Sequence, residues 1–451
     1  MPKKSLQVFA LLLSVGLLLP GTARAVLDIR ITEGVEGDIP IAVVPFEWTG
    51  KGALPSEDVS AIVAADLRRS GRFAMLPEDE FLEHPHQAQD VKFDNWSTLG
   101  VEALVIGRVL PGKQGGYEIQ FRLFDIFKKG TAGTPEEQYR NKQLLGHSLP
   151  ARADNLRYTA HYVSDLIYEK LTGEAGVFRT RIAYVTAEQG PDGERYSLQV
   201  ADADGYSPHR VLTSGQPIMS PAWSPDGRYL AYVSFQNQRS GVYVQDLGTG
   251  EQPRLVAAYP GINGAPAWSP DGKKLALTLS RADAGNPEVY VMDLASRKLQ
   301  RITFNSAIDT EPAWSPDGTM LVFTSDRSGR PQLYRIPAQG GRAQRITFEG
   351  TYNARATFSP DGKRLAMVHG DGAQFRIAVM DLESGLFRVL TEGRLDESPS
   401  FAPNGGMILY AVGGGPRGQL GVVTVDGRET QRLTLERGDV REPAWGPFTE
   451  D

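Results

Sequence analysis

From Ile182 onward the apolar residues fall in short unbroken runs, not at helical spacing: Leu230-Ala-Tyr-Val233, Leu275-Ala-Leu-Thr278, Leu321-Val-Phe-Thr324, Leu365-Ala-Met-Val368 and Ile408-Leu-Tyr-Ala411. A strand that is apolar on both faces must be covered on both. A further strand follows most runs (residues 242–247, 289–294, 333–336 and 377–382). A short fourth then ends in Arg301-Ile-Thr303, Arg345-Ile-Thr347 or Val389-Leu-Thr391. Four-stranded units stacked face to face are propeller blades.

One phrase precedes each run. Pro221-Ala-Trp-Ser-Pro-Asp-Gly227 recurs at Pro266–Gly272, Pro312–Gly318, Ala356–Gly362 and Pro399–Gly405, and in truncated form at Pro443–Pro447. Its aromatic anchors (Trp223, Trp268, Trp314, Phe358, Phe401, Trp445) are 45, 46, 44, 43 and 44 residues apart, the length of one blade. Ser-Pro-Asp-Gly closes a tight turn: Pro sets φ, Asp caps its own backbone and Gly takes the left-handed position. The repeated Asp is therefore turn chemistry. Residues 181–213 supply three strands with no phrase before them, and the sixth phrase has no strands after it. Joining the two gives six blades, closed by the C-terminal strand with no free sheet edge.

The remaining sequence predicts a second domain. Leu27, Ile29 and Ile31 alternate with Asp28, Arg30 and Thr32, the pattern of a half-buried strand, which Gly34 and Gly37 separate from the continuous apolar strand Ile41-Ala-Val-Val44. Helices are expected from Ser56, as N-cap, to Ser70 and from Ala151 to Leu171, with strands at 72–75, 103–108, 117–125 and 142–147. The fold class is thus a small mixed α/β N-terminal domain (26–172), a glycine-rich linker (173–177) and a six-bladed β-propeller (178–451). Residues 1–25 read as a cleaved signal peptide: Lys3 and Lys4, an apolar stretch from Leu6 to Leu19, then Ala23-Arg-Ala25. Its removal takes away Lys3, Lys4 and Arg24 and moves the formal charge from −6 to −9. Such a chain has no electrostatic reason to bind nucleic acid or an anionic membrane surface. With no cysteine there is no disulfide, thiolate metal site or lipid-anchoring cysteine.

Catalytic and cofactor motifs are weak. No Gly-x-Ser-x-Gly elbow occurs. His84-Pro-His86 lacks further metal ligands, Asp202-Ala-Asp-Gly205 lacks the later acids of a calcium loop, and Gly413-Gly-Gly415 lacks the Lys-Ser/Thr of a phosphate loop. No catalytic residue, metal or cofactor is expected. The variable segments just before each phrase are more informative, read as loops that open at one mouth of the channel: Gly215-Gln-Pro217, Asn263-Gly264-Ala265, Asp309-Thr310-Glu311, Tyr352 to Arg355, Asp396-Glu397, and Asp439 with Arg441 and Glu442. They predict a mostly acidic ring with Arg355 and Arg441 set into it.

Ile41-Ala-Val-Val-Pro-Phe46, Gly176-Val-Phe-Arg-Thr-Arg-Ile-Ala-Tyr-Val185, Asp202-Ala-Asp-Gly-Tyr206 and the phrase series together resemble the TolB family of periplasmic propeller proteins over essentially the whole chain. The resemblance implies a non-enzymatic, periplasmic role in the Tol-Pal system, supporting outer-membrane integrity and constriction at division, by a monomer working within a multiprotein complex. It implies binding of the lipoprotein Pal at the propeller mouth, foremost around Asn263–Ala265 and Asp309–Glu311. It also implies binding of TolA by the mature N-terminus: Val26, Leu27, Asp28, Ile29, Arg30, Ile31, Thr32, Glu33 and Gly34. Ile262 stands where the family pattern leads one to expect a polar residue or histidine. An alternating strand tethered by glycines also suits pairing with a partner's sheet edge. The alternative is an exported propeller that takes a small ligand, ion or glycan in its channel.

Overall fold

The computed structural model describes residues 37–129, 134–191, 193–280, 285–415, 417–433, 435 and 438–449. The expected signal peptide and the strand at 26–34 lie outside the described residues.

The N-terminal domain runs β1 (Ile39–Val43), β2 (Glu47–Trp48), α1 (Val59–Arg69), β3 (Phe73–Met75), α2 (Phe93–Thr98), β4 (Ala103–Pro111), β5 (Tyr117–Asp125), α3 (Pro135–Lys142), β6 (Gln143–Ala151) and α4 (Leu156–Thr172). Its sheet has the order β3-β1-β4-β5-β6, with β2 beside β4. The β1 pairings are parallel, and β4-β5-β6 form an antiparallel meander. α1 and α4 cover one face through Val59, Val63, Leu67, Ala160, Val163 and Ile167. α2 and its flanking loops cover part of the other, around Trp96, Leu104, Ile106 and Phe124.

Two helix starts differ from expectation. Asp58, not Ser56, caps α1: its Oδ1 accepts from the Ala61 N–H at 3.0 Å and from Ser60 Oγ at 2.6 Å. α4 begins at Leu156, not at Ala151, because the β5 ladder holds Ala151 opposite Tyr117 and a turn then follows in which Asn155 Oδ1 accepts from Arg152 N–H at 2.7 Å.

Beyond the linker lie six antiparallel four-stranded blades, numbered here from the one that joins both chain ends. Blade one orders as Asp439–Trp445, Arg181–Gly190, Gly193–Asp202, His209–Ser214, so the C-terminal strand closes the ring as the innermost strand. The other innermost strands are Ile218–Trp223, Asn263–Trp268, Asp309–Trp314, Tyr352–Phe358 and Leu395–Phe401. The phrase behaves as its residues dictate. In blade three Ser269 Oγ donates to Asp271 Oδ1 at 2.6 Å, Lys273 N–H donates to the same oxygen at 3.1 Å, and Gly272 sits at φ +67°. The fourth strands stop short of their threonines, whose hydroxyls stand in for a ladder partner: Thr303, Thr347 and Thr391 Oγ1 accept from Val289, Leu333 and Ile377 N–H at 2.9–3.0 Å. Among the described residues no helix is long and apolar enough to cross a membrane.

Candidate partner-binding mouth

The segments before each phrase are not loops. They are the first residues of the innermost strands, and in blade two the equivalent is Ile218–Ser220, one step beyond Gly215–Pro217. Each strand carries a bulge at the same place, where the register slips just before the phrase. The bulged residue is left-handed in all six blades: Ser220, Ala265, Glu311, Arg355, Ser398 and Glu442 have φ between +46° and +57°, and none is glycine. Each such residue costs about 1–2 kcal/mol of backbone energy. The next residue is a proline in five of the six, which gives up no ladder hydrogen bond there.

A channel cavity of 390 Å³ is lined by five of these bulge residues together with the prolines, small residues and aromatic anchors of the six phrases. A polar chain runs around the ring. Glu311 N–H donates to Thr278 Oγ1 of the preceding blade at 3.2 Å. The Glu311 carboxylate accepts from Thr324 Oγ1 at 2.9 Å and from the Arg355 N–H of the next blade at 3.1 Å. The Arg355 guanidinium reaches past blade six to pair with Glu442. Burial pulls the Glu442 carboxyl up, but Arg355 beside it outweighs that and holds it below the usual range. Burial, Glu311 and Glu397 together push the Tyr352 hydroxyl up.

The expected acidic ring is thinner than the sequence suggests. Asn263, Asp309 and Asp396 are buried. Asn263 holds its own approach loop, accepting from Tyr259 N–H at 2.8 Å and donating to Tyr259 O at 2.7 Å. Asp309 pairs with Arg327 at 2.6 Å. Asp396 folds under Gly393, where a Cβ would meet the carboxylate at 2.2 Å. Asp439 is neutralised by Arg441 at 2.7 Å. Gly264, Ala265, Thr310, Glu311, Tyr352, Arg355 and Glu442 are half-buried at the ring, and Glu397 and Arg441 are exposed.

Around this polar centre the segments linking one blade to the next set out apolar side chains, of which the sequence had singled out Ile262 alone. Phe304 and Phe348 are each 72% exposed, Ile262 51% and Ile308 48%. Arg301 and Arg345 stack on the two phenylalanines at 4.6 and 5.1 Å. The signal was present as a second repeat, Arg301-Ile-Thr-Phe304 and Arg345-Ile-Thr-Phe348. Its Ile and Thr are consumed by packing and strand termination, and its Phe is left outside.

A second cluster joins the domains. His161 of α4, 1% exposed, lies between Asp66 of α1 (Nδ1 to Oδ2, 2.7 Å) and Asp204 of blade one (Nε2 to Oδ2, 3.5 Å). Asp66 also binds Arg69 at 2.9 Å, and Asp204 binds Arg157, which stacks on Tyr206 at 3.6 Å. Each carboxylate faces a different ring nitrogen and each holds an arginine; only Nδ1 is hydrogen-bonded, and Nε2 has no hydrogen-bond partner among the described residues. Burial disfavours the charged ring, but Asp66 and then Asp204 outweigh it and raise its pKa. Asp202-Ala-Asp-Gly205 is a turn, closed by Gly205 N–H donating to Asp202 O at 2.8 Å, and also the docking point for α1 and α4.

Fold and mouth together define a two-domain β-propeller protein with a polar ring where the innermost strands begin around the channel. Residues 168–449 match the family model described as the TolB beta propeller domain, and residues 27–132 match the TolB amino-terminal domain. The chain is 52% identical to the Tol-Pal system protein TolB of Thioalkalivibrio sulfidiphilus, with 96% of each chain covered, and 55% identical to that of Nitrosococcus oceani, with 94% of each covered. It superposes on the crystal structure of TolB from Acinetobacter baumannii with a TM-score of 0.80 at 41% identity, over 92% of this chain and 98% of that one. The chain belongs to the TolB family and is a component of the Tol-Pal system of the cell envelope.

Proposed function

We propose that this protein is a non-enzymatic periplasmic scaffold that binds Pal at the propeller mouth and TolA through residues 26–34, supporting outer-membrane integrity and constriction at division. The observation that carries the mouth assignment is its composition: a polar centre of Glu311, Tyr352, Arg355 and Glu397 inside an exposed apolar rim of Ile262, Phe304, Ile308 and Phe348. Aromatic anchors beside orienting charges are the usual content of a protein interface. A monomer seldom leaves such a rim uncovered. Asn263, Asp309 and Asp396 act from beneath, by fixing the segments that carry the rim. Exposed Ile262 fits this apolar rim where a polar residue was expected.

Mature protein should recover Pal from envelope extract, and Glu311→Lys and Glu397→Lys should each reduce that recovery by about tenfold. Deleting residues 26–34 should abolish TolA capture while Pal capture persists. Pal recovery unchanged by both charge reversals contradicts the mouth assignment, and TolA captured by the deleted chain contradicts the N-terminal one.

A further inference from the structure

The α/β domain carries a second concave site, away from the mouth and built by strand alternation. β5 turns Ile119, Phe121 and Leu123 toward the helices α1 and α4. Its alternate residues Gln120, Arg122 and Phe124 therefore face the other way. On that side α2 and its loops cover Phe124, Leu104 and Ile106. Past these residues the sheet is uncovered and turns polar: Arg108 from β4, Gln120 and Arg122 from β5, and Ser148 from β6. The loop bearing His86 forms a wall, and the half-open cavity measures 330 Å³, within the size range of small-ligand sites.

Its two arginines are aimed by neutral amides. Arg108 Nη2 donates to Gln120 Oε1 at 2.9 Å, and Arg122 Nη1 donates to Gln143 Oε1 at 2.8 Å. A neutral amide orients a guanidinium without cancelling it, and three or more donors of each arginine remain for a ligand. Neither arginine forms an ion pair among the described residues. The acid on this face, Glu118, sits at the edge of the cradle, accepting from two of its lining residues, Gln120 Nε2 at 3.0 Å and Ser148 Oγ, and forms no ion pair with either arginine. A Cβ at Gly146 would meet Gln143 Nε2 at 2.4 Å, so glycine there makes room for the amide that aims Arg122. His86 lines the same cavity with a buried Nδ1 that has no partner.

We propose that this cradle binds a small oxyanion-bearing ligand, a carboxylate or a phosphate, gripped by the Arg108 and Arg122 guanidiniums with His86 as a third contact. Paired forks on adjacent strands match the oxygens of either group. The site stands whether or not the mouth binds Pal.

The test is calorimetric titration of the mature protein with three probes: inorganic phosphate, a tetrapeptide with a free C-terminal carboxylate, and the same peptide amidated. Phosphate or the free acid should bind with a Kd of about 1 mM or tighter. Binding by one and not the other identifies the oxyanion, and the amidated peptide should not bind. The Arg108→Gln/Arg122→Gln variant should weaken binding by about fivefold or more, as should raised salt. If that variant lacks the native circular dichroism spectrum, His86→Glu takes its place, since it sets a carboxylate in the cradle and should abolish binding. No binding by either anion, equal binding of the amidated peptide, or a loss under fivefold in the folded variant overturns the proposal.

Discussion

The repeat tryptophans tie blade to blade as well as filling space. Trp223, Trp268 and Trp314 Nε1 each donate to the phrase alanine of the preceding blade, Ala444, Ala222 and Ala267, at 3.1 Å. Trp445 donates to Thr180 Oγ1 at 2.8 Å. Phe358 and Phe401 hold the same place without a donor, so the position tolerates phenylalanine sterically. Trp268→Phe should therefore cost about 1 kcal/mol, from the orphaned Ala222 carbonyl, in urea unfolding. A loss several times larger would mean that packing decides this position. The turn role of Ser, Pro, Asp and Gly could be read from the sequence because it is local. The left-handed ring could not: no single residue type is common to Ser220, Ala265, Glu311, Arg355, Ser398 and Glu442, and none is glycine. The burial of Asp309 and Asp396 was equally hidden, because Arg327 and Gly393 reach them only once the connecting segments fold back.

Among the elements, the helices show where sequence reading ends. Helical periodicity gave α1 and α4, but competing neighbours set their starts: Asp58 for α1 and the β5 ladder for α4. α3 announced itself with Thr134-Pro-Glu-Glu137, a capping box in which Thr134 N–H donates to Glu137 Oε2 at 2.9 Å, and its shortness hid it. The junction of α1 and α4 with blade one was not readable, since Asp66, His161 and Asp204 come from distant segments. It has a pH signature. A raised histidine pKa stabilises the junction fully below the ordinary value of 6.5, and that contribution is lost as pH rises through the folded value. The groups facing the ring are Asp66 and Arg69 from α1, Arg157 from its own helix, and Asp202 and Asp204 from blade one. Hydrogen-exchange protection of α4 and of residues 198–206 should therefore be greater at about pH 6 than at about pH 8.5, and His161→Gln should flatten the difference. Equal protection at both pH values in the parent protein would contradict a ring that loses its proton between them.

For the molecule as a whole, periodicity alone predicted the blade number and the closure, because a blade is a local unit repeated and an orphan at each end has one complement. Closure is also where the molecule is most exposed to damage. Val440 and Trp445 pack with Ile182, Tyr184 and the neighbouring Leu409 and Val422. A chain ending at residue 438 should lose its single cooperative unfolding transition and become a protease substrate throughout residues 181–433. Retained cooperativity would show that the other blades hold the ring unaided. The apolar rim, in contrast, belongs to no single blade and emerges only when blades three and four set Phe304 and Phe348 on one face.

The face that carries Phe304 and Phe348 is the proposed docking surface for Pal. That assignment is tested most directly by calorimetric titration of purified Pal into the mature protein and into its Phe304→Ser/Phe348→Ser variant, both exposed positions whose change should leave folding intact. Saturable binding by the parent is expected, with a loss of about tenfold or more in the variant and unchanged thermal unfolding. No binding by the parent, or equal affinity in the two, would contradict it.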